Sequence, residues 1–262
     1  MFPLLAVLGC TDDPSMASGH YFTCVAAPSV ECWGNGEAPT VARARLLSAY
    51  LDEVCAVSAD SLDCWGFPIE GGGLSEDVPT LEPSQIAELD VGLDVACARS
   101  LTNEVECWGP SAPQGGPDVG AGVAAGDGWA CVLTTSGALD CWGSGPVVEA
   151  SDGPFELMAG NPTAVCASSG TAVTCFGGVI PDHELSAEPS ALTVGGGHAC
   201  AVVGEERSVE CWGLDDDGQA APPGLDDVHA ISAGALHTCA IDTRETLACW
   251  GSDTYGQSSP PD

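Results

Sequence analysis

The residues best equipped for chemistry in this chain are its thiols. Its 262 residues include 15 cysteines. With Cys10 set aside, the rest fall into close couples: Cys24/Cys32, Cys55/Cys64, Cys97/Cys107, Cys131/Cys141, Cys166/Cys175, Cys200/Cys211 and Cys239/Cys249. The offsets of 8, 9, 10, 10, 9, 11 and 10 residues are wider than the Cys-x-x-Cys spacing that metal sites favour. They suit the two strands of a hairpin. Folding Cys131–Cys141 about Thr135-Ser136-Gly137 sets Leu133 opposite Leu139 and the two cysteines directly opposite each other. Opposed residues at a non-hydrogen-bonded pair lie about 4.5 Å apart at Cα, within disulfide reach. The same folding pairs Ile241 with Leu247 in the last unit. Each couple is therefore expected to form a disulfide across its own hairpin, in an oxidising compartment. Closing a loop of about ten residues is worth roughly 2.7 kcal/mol in the chain-entropy model.

Other chemistry-bearing residues form weaker patterns. His198 and His237 each stand two residues before a cysteine and read as structural, while His20, His183 and His229 share no spacing. Asp215-Asp216-Asp217-Gly218 has the carboxylates of a calcium loop but no distal glutamate at loop spacing, so a solvated turn is the better reading. There is no Gly-x-Ser-x-Gly elbow, no His-Glu-x-x-His, and no lysine at all to complete a phosphate loop. No catalytic residue, metal or cofactor is expected. Cys10 closes the string Val7-Leu8-Gly9-Cys10, which is similar to a bacterial lipobox, after an apolar stretch Phe2–Leu8 too short to span a bilayer. This predicts an export signal over 1–10 with lipid attached at Cys10, although no Lys or Arg precedes the apolar stretch. A short linker over 11–15 and a single repeat domain over 16–262 follow.

The elements that must position the thiols are written in the repeat. After every second cysteine comes an aromatic residue and then glycine: Trp33, Trp65, Trp108, Trp142, Phe176, Trp212 and Trp250. These aromatics recur at 32 to 43 residues, a period of propellers and solenoids. Five residues before the first cysteine stands glycine in five units (Gly19, Gly92, Gly126, Gly195, Gly234), with Gly160 shifted by one and Tyr50 replacing it in the second unit. Each unit thus reads as a short apolar strand, a turn, a strand with the first cysteine, a tight turn, a strand with the second, and a Gly/Pro-rich loop. Helical periodicity is absent apart from one turn's worth over Pro83 to Leu89. Because side chains alternate along a strand, the disulfide and the aromatic after it face opposite sides of the sheet, so both faces are partly apolar. Trp129 is the only tryptophan outside the repeat position, to be placed either on a rim as a partner anchor or in the core.

The Cys-Trp-Gly ending, the Gly-x-x-His-Thr-Cys opening (Gly234 to Cys239, shortened at Gly196 to Cys200) and the Gly-Gln tails (Gly218-Gln219, Gly256-Gln257) resemble the repeats of the regulator of chromosome condensation family. The likeness runs over residues 16 to 262, and the added cysteine couple per unit fits secreted bacterial versions. It implies an all-β, seven-bladed β-propeller of four-stranded blades with one intra-blade disulfide per blade. An open β-solenoid is the alternative. The termini are expected to complete one blade together. The nuclear exchange activity of eukaryotic members is not carried over.

Charge narrows the partners. Five Lys+Arg face 38 Asp+Glu, a net charge of -33, which repels phosphate backbones and anionic lipid. Nucleic acid is excluded as a partner, and the membrane is reached only through the lipid at Cys10. The expected function is a monomeric, non-catalytic binding scaffold at the cell envelope or secreted. Its partner is an unidentified protein or envelope ligand, basic where charge holds it. Loops Gly66 to Ser84 and Gly143 to Pro154, which differ most between units, would carry specificity. The rival readings are a structural or glycan-binding envelope protein and a hydrolase with its site in the central channel.

Overall fold

The computed structural model describes residues 15–26, 29–35, 44–66, 74, 79–145 and 153–261. Within them seven antiparallel sheets follow one another along the chain. Blade 1 contains β1 (Ser15–Ser18), β2 (Phe22–Ala26) and β3 (Val30–Gly34). Blade 2 contains β4 (Leu46–Tyr50), β5 (Glu53–Val57) and β6 (Leu62–Gly66). Blade 3 contains β7 (Ile86–Val91), β8 (Ala96–Ser100) and β9 (Val105–Trp108). Blade 4 contains β10 (Gly122–Ala125), β11 (Trp129–Leu133) and β12 (Leu139–Gly143). Blade 5 contains β13 (Leu157–Asn161), β14 (Ala164–Ser169), β15 (Ala172–Gly177) and β16 (His183–Glu184). Blade 6 contains β17 (Pro189–Val194), β18 (His198–Val203) and β19 (Ser208–Gly213), and blade 7 β20 (Val228–Ala233), β21 (His237–Asp242) and β22 (Leu247–Gly251). A 3-10 turn spans Pro83–Gln85 just before β7.

The first strands touch in cyclic order, β1 to β4, β7, β10, β13, β17, β20 and back to β1. That closure makes the array a seven-bladed propeller and overturns the open solenoid. Among the described residues no sheet combines strands from the two termini: blade 1 holds β1 to β3 and blade 7 holds β20 to β22. Among the described residues blade 5 has a fourth strand, the outer segments of blades 3, 6 and 7 form none, and those of blades 1, 2 and 4 lie largely outside the described residues. In blade 3 the equivalent segment passes through Pro110, Pro113, Gly115, Gly116 and Pro117 and makes a single bridge, Glu104 to Val119. Proline cannot donate to a ladder and glycine weakens a strand, so pairing stops there.

The hairpin register falls where the cysteine spacing put it. Cys131 opposes Cys141 and Leu133 opposes Leu139, and Ile241 opposes Leu247. All seven disulfides are formed within their own blades, with Cα atoms 4.0–4.1 Å apart. The second unit folds like the rest, with Leu51 in its turn at φ 46°.

Packing between blades repeats one contact seven times. The disulfide of each blade lies in the same apolar cluster as the repeat aromatic of the next: Cys24–Cys32 with Trp65, Cys55–Cys64 with Trp108, Cys97–Cys107 with Trp142 and Cys131–Cys141 with Phe176. The ring is completed by Cys166–Cys175 with Trp212, Cys200–Cys211 with Trp250 and, across the closing seam, Cys239–Cys249 with Trp33. The alternation of side chains along β3 and its equivalents makes this possible, since disulfide and aromatic point to opposite neighbours. Sulfur against a ring edge is itself favourable by about 0.3–1.5 kcal/mol.

Candidate functional site

Two places on a propeller can hold a ligand: the axial channel and the loop rims.

The channel is lined by the first strands. Seven residues before the first cysteine, four of these strands carry an oxygen-bearing side chain, Ser48, Asp90, Thr193 and Ser232. Each oxygen accepts the free backbone N–H of the next blade's first strand: Ser48 from Val91 at 3.0 Å, Asp90 from Ala125 at 2.8 Å, Thr193 from Ala233 at 3.0 Å and Ser232 from Ser18 at 2.9 Å. The innermost strand of a blade has one unpaired edge, and these side chains satisfy it. A cavity of about 180 Å³ remains on the axis, bordered by Ser18, Ser48, Tyr50, Asp90, Thr193 and Ser232 among others. Asp90 is its one carboxylate. Burial pushes that carboxyl up to about 7, against the N–H of Ala125 that holds it down. Glu88, on the same face of β7, is also raised by burial while its ion pair with Arg99 at 2.8 Å opposes the rise. The arrangement is that of a stitched seam: the channel carboxylate is spent on a backbone donor and has no second acid beside it in the lining.

A second polar stitch lies one layer outward. His198 and His237 are fully buried. His198 Nε2 is 2.7 Å from the Thr238 hydroxyl, and His237 Nε2 is 2.8 Å from that of Thr23. The Thr238 hydroxyl also donates to the carbonyl of Gln219, and that of Thr23 to Gln257. With the hydroxyl proton so directed, each imidazole donates through Nε2. The Nδ1 of His198 is buried without a partner. Desolvation brings both histidines down to about 4, so they are neutral and structural, as their spacing implied. Glycine makes room for them: a Cβ on Gly195 or Gly234 would lie 2.3 Å from the ring Cε1 of His198 or His237.

Trp129 belongs to this same layer. It stands two residues before Cys131, in register with Phe22, His198 and His237. It is buried, its indole N–H donates to Pro162 at 2.8 Å, and a Cβ on Gly126 would lie 1.8 Å from its Cε2. The rim placement is thereby set aside in favour of the core. Sequence comparison missed this column because its members differ in type; the glycine three residues earlier was the available signal.

The repeat tryptophans clip successive blades through their N–H groups. Trp108 donates to Leu74, Trp142 to Pro113, Trp212 to Pro181, Trp250 to Gln219 and Trp33 to Gln257. The tails preceding them are matched. Asp215 Oδ1 accepts from Ala220 and Gln219 Oε1 from Asp217, as Asp253 Oδ1 accepts from Ser258 and Gln257 Oε1 from Tyr255. Asp215 is thus a turn cap, and no group of metal-holding side chains occurs among the described residues. The last tail, through Gln257, is what binds the C-terminal segment to blade 1.

Antiparallel order puts all turns between first and second strands on one rim, and all hairpins between second and third strands on the other. His20 is on the turn rim, stacked on Tyr21 at 3.8 Å, and Tyr21 meets Tyr255 at 4.5 Å. His183, on β16, stacks on Trp212 at 4.8 Å. His229 lies within β20. The expected specificity loops Gly66 to Ser84 and Gly143 to Pro154 fall largely outside the described residues, as does Cys10 with the whole of 1–14. A cleft of about 400 Å³ between blades 3 and 4 is bordered by Thr80, Glu106, Trp108, Asp118 and Trp142.

Comparison with known proteins agrees with this architecture. The family model of the regulator of chromosome condensation (RCC1) repeat matches residues 228–257. Blade 7 is such a repeat, and the other six blades are built on its plan. No curated protein matches the sequence. Among solved structures, the CRINKLY WD40 ectodomain of the Arabidopsis thaliana receptor kinase ACR4 is similar at TM-score 0.70 and 19% identity, over 95% of this chain and 98% of that one. The ectodomain of the Physcomitrella patens receptor kinase CR4 is similar at TM-score 0.69 and 21% identity, over 91% and 73%. Prp20p of Saccharomyces cerevisiae, whose binding to Gsp1p and histones has been described, is similar at TM-score 0.50 and 16% identity, over 94% and 74%. At these identities the likeness is one of fold.

Proposed function

We propose that this chain is a non-catalytic scaffold, exported to an oxidising compartment, that binds a protein partner through the loops of one propeller rim. The observation that carries the reading is the use to which the polar side chains of the channel wall and of the layer behind it are put. Ser48, Asp90, Thr193, Ser232, His198 and His237 are all committed to joining one blade to the next. A channel whose oxygens already hold backbone N–H groups is a joint, and function falls to the rims. A disulfide in each of seven blades supports folding outside the cytosol. Receptor ectodomains share the fold, and fold likeness favours the scaffold reading by analogy alone. Lipid attachment at Cys10 would hold the scaffold at the envelope surface, where the net charge of -33 keeps it off anionic headgroups.

The test is a pulldown from extracellular and envelope fractions with the mature protein as bait, beside a panel of ester, glycoside and peptide substrates. A saturable protein partner with no turnover is expected. Turnover abolished by Asp90→Asn, with no partner recovered, would reverse the assignment. Mass spectrometry of the N-terminal peptide decides the anchor: a diacylglyceryl Cys10 supports it, an unmodified one removes it.

A further inference from the structure

The scaffold reading leaves open which rim binds and what it binds. We infer that the turn rim over blades 6, 7 and 1 is the docking surface, and that its occupant is a polypeptide segment combining cationic with aromatic or aliphatic side chains. The inference rests on the scaffold reading and adds the site and the partner's chemistry to it.

Two independent distributions meet on that rim. The first is apolar. Six large hydrophobic side chains are exposed among the described residues. Four of them, Val179 (68%), Leu214 (46%), Leu236 (37%) and Tyr255 (48%), stand on the turn rim in the tails and turns of successive blades 5 to 7. Tyr21 carries the arc across the closing seam into blade 1, touching Tyr255 and backed by His20. The arc is built and held: Leu214 donates its N–H to Gly197, over which its side chain lies, and Ser252 donates to Leu236.

The second distribution is charge. Asp216, Asp217 and Asp253 in the tails of blades 6 and 7 place carboxylates along the arc, and Asp52, in the adjoining turn of blade 2, adds one beside His20 at its blade 1 end. Every described arginine is at the opposite rim or its approach, and engaged there: Arg45 with Pro83, Arg99 with Glu88, Arg207 with Val228 and Arg244 with Asp242. The turn rim therefore has no arginine among the described residues. Its one titratable cation, His20, is held below its ordinary value by burial, against the pull of Asp52. Aromatic faces among carboxylates favour a guanidinium or ammonium group flanked by apolar side chains, through cation–π contact and charge complementarity together. An anionic ligand meets only repulsion there.

Fluorescence anisotropy with a labelled peptide of alternating arginine and tryptophan, at about 150 mM salt where bulk attraction is largely screened, tests this directly. Arginine–glycine and glutamate–tryptophan peptides of equal length serve as comparisons. The expected result is binding at least about tenfold tighter than either comparison. Tyr21→Ser with Tyr255→Ser, and separately Asp52→Asn with Asp216→Asn and Asp217→Asn, should each weaken it about tenfold. Glu205→Gln with Glu206→Gln and Glu245→Gln removes the same charge from the exposed hairpin rim and should change it less than about twofold. Equal loss from both carboxylate sets, or no loss from the tyrosine pair in a variant that still melts normally, overturns the inference. A captured partner whose hydrogen-exchange footprint covers the hairpin rim also overturns it while leaving the scaffold standing; failure to capture any protein counts against the scaffold itself.

Discussion

Asp90 and the two buried histidines pull stability in opposite directions with pH. The folded Asp90 carboxyl sits at about 7, against an ordinary 3.8. A raised carboxyl favours the fold while protonated, so its contribution is complete below pH 3.8 and is lost as pH rises to about 7. The upper limit of that loss is about 4 kcal/mol. His198 and His237, lowered from 6.5 to about 4, do the reverse: their contribution is full above 6.5 and is lost as pH falls to about 4. Asp90→Asn keeps an acceptor for the Ala125 N–H and removes the ionisation. Urea melts should show the variant more stable than the parent at pH 8, by about 1–3 kcal/mol, with little difference at pH 4. An equal effect at both pH values would mean that Asp90 is ionised throughout. Glu88 with Arg99 faces the same seam and is unchanged in the comparison. Of these residues only the histidines were legible beforehand, because they recur in identical type. Ser48, Asp90, Thr193 and Ser232 share a column and a task but not a side chain, and a shared task shows only once the next blade's free N–H is seen opposite.

At the scale of the element, each blade is a hairpin locked by its disulfide and seated on its neighbour by an aromatic. Trp250 illustrates the double role: it packs on the Cys200–Cys211 disulfide and donates to Gln219. Trp250→Ala should cost about 3–5 kcal/mol, whereas Trp250→Phe, which keeps the ring and loses the donor, should cost about 1–2 kcal/mol. Phe176 already lives without that donor in blade 5. Thr23→Val at the closing seam removes the hydroxyl shared by His237 and Gln257 and should cost about 1–3 kcal/mol. Equilibrium unfolding of the three variants is the check, and a Phe substitution as damaging as the Ala would show that the hydrogen bond outweighs the packing. The hairpins were legible in full, since a covalent crosslink fixes register and the offsets reveal it. The fourth strand was not. Its ladder depends on where proline and glycine fall in an outer loop of variable length, and the resemblance supplied an average blade in place of this one.

The whole molecule is a ring whose first and last blades must be joined to close it. Side-chain hydrogen bonds across the seam include Ser18 on Ser232, His237 on Thr23, and both Thr23 and Trp33 on Gln257. The sequence announces seven units and a period, but the joint is made of side chains drawn from both ends of the chain, about 214 to 234 residues apart, which no local pattern discloses. A net charge of -33 also acts at this scale. Carboxylates repel one another across every rim, and salt screens them. The melting temperature should therefore rise steadily between low salt and about 1 M sodium chloride; a fall would place net attraction, not repulsion, among the surface charges.

Everything larger depends on seven hairpins being crosslinked each to itself. Digestion under non-reducing conditions with thiols blocked, followed by mass spectrometry of the linked peptides, measures this directly. The account predicts the couples from Cys24–Cys32 through Cys239–Cys249, each within one blade. Peptides joined between blades, or blocked free thiols at these positions, would contradict it.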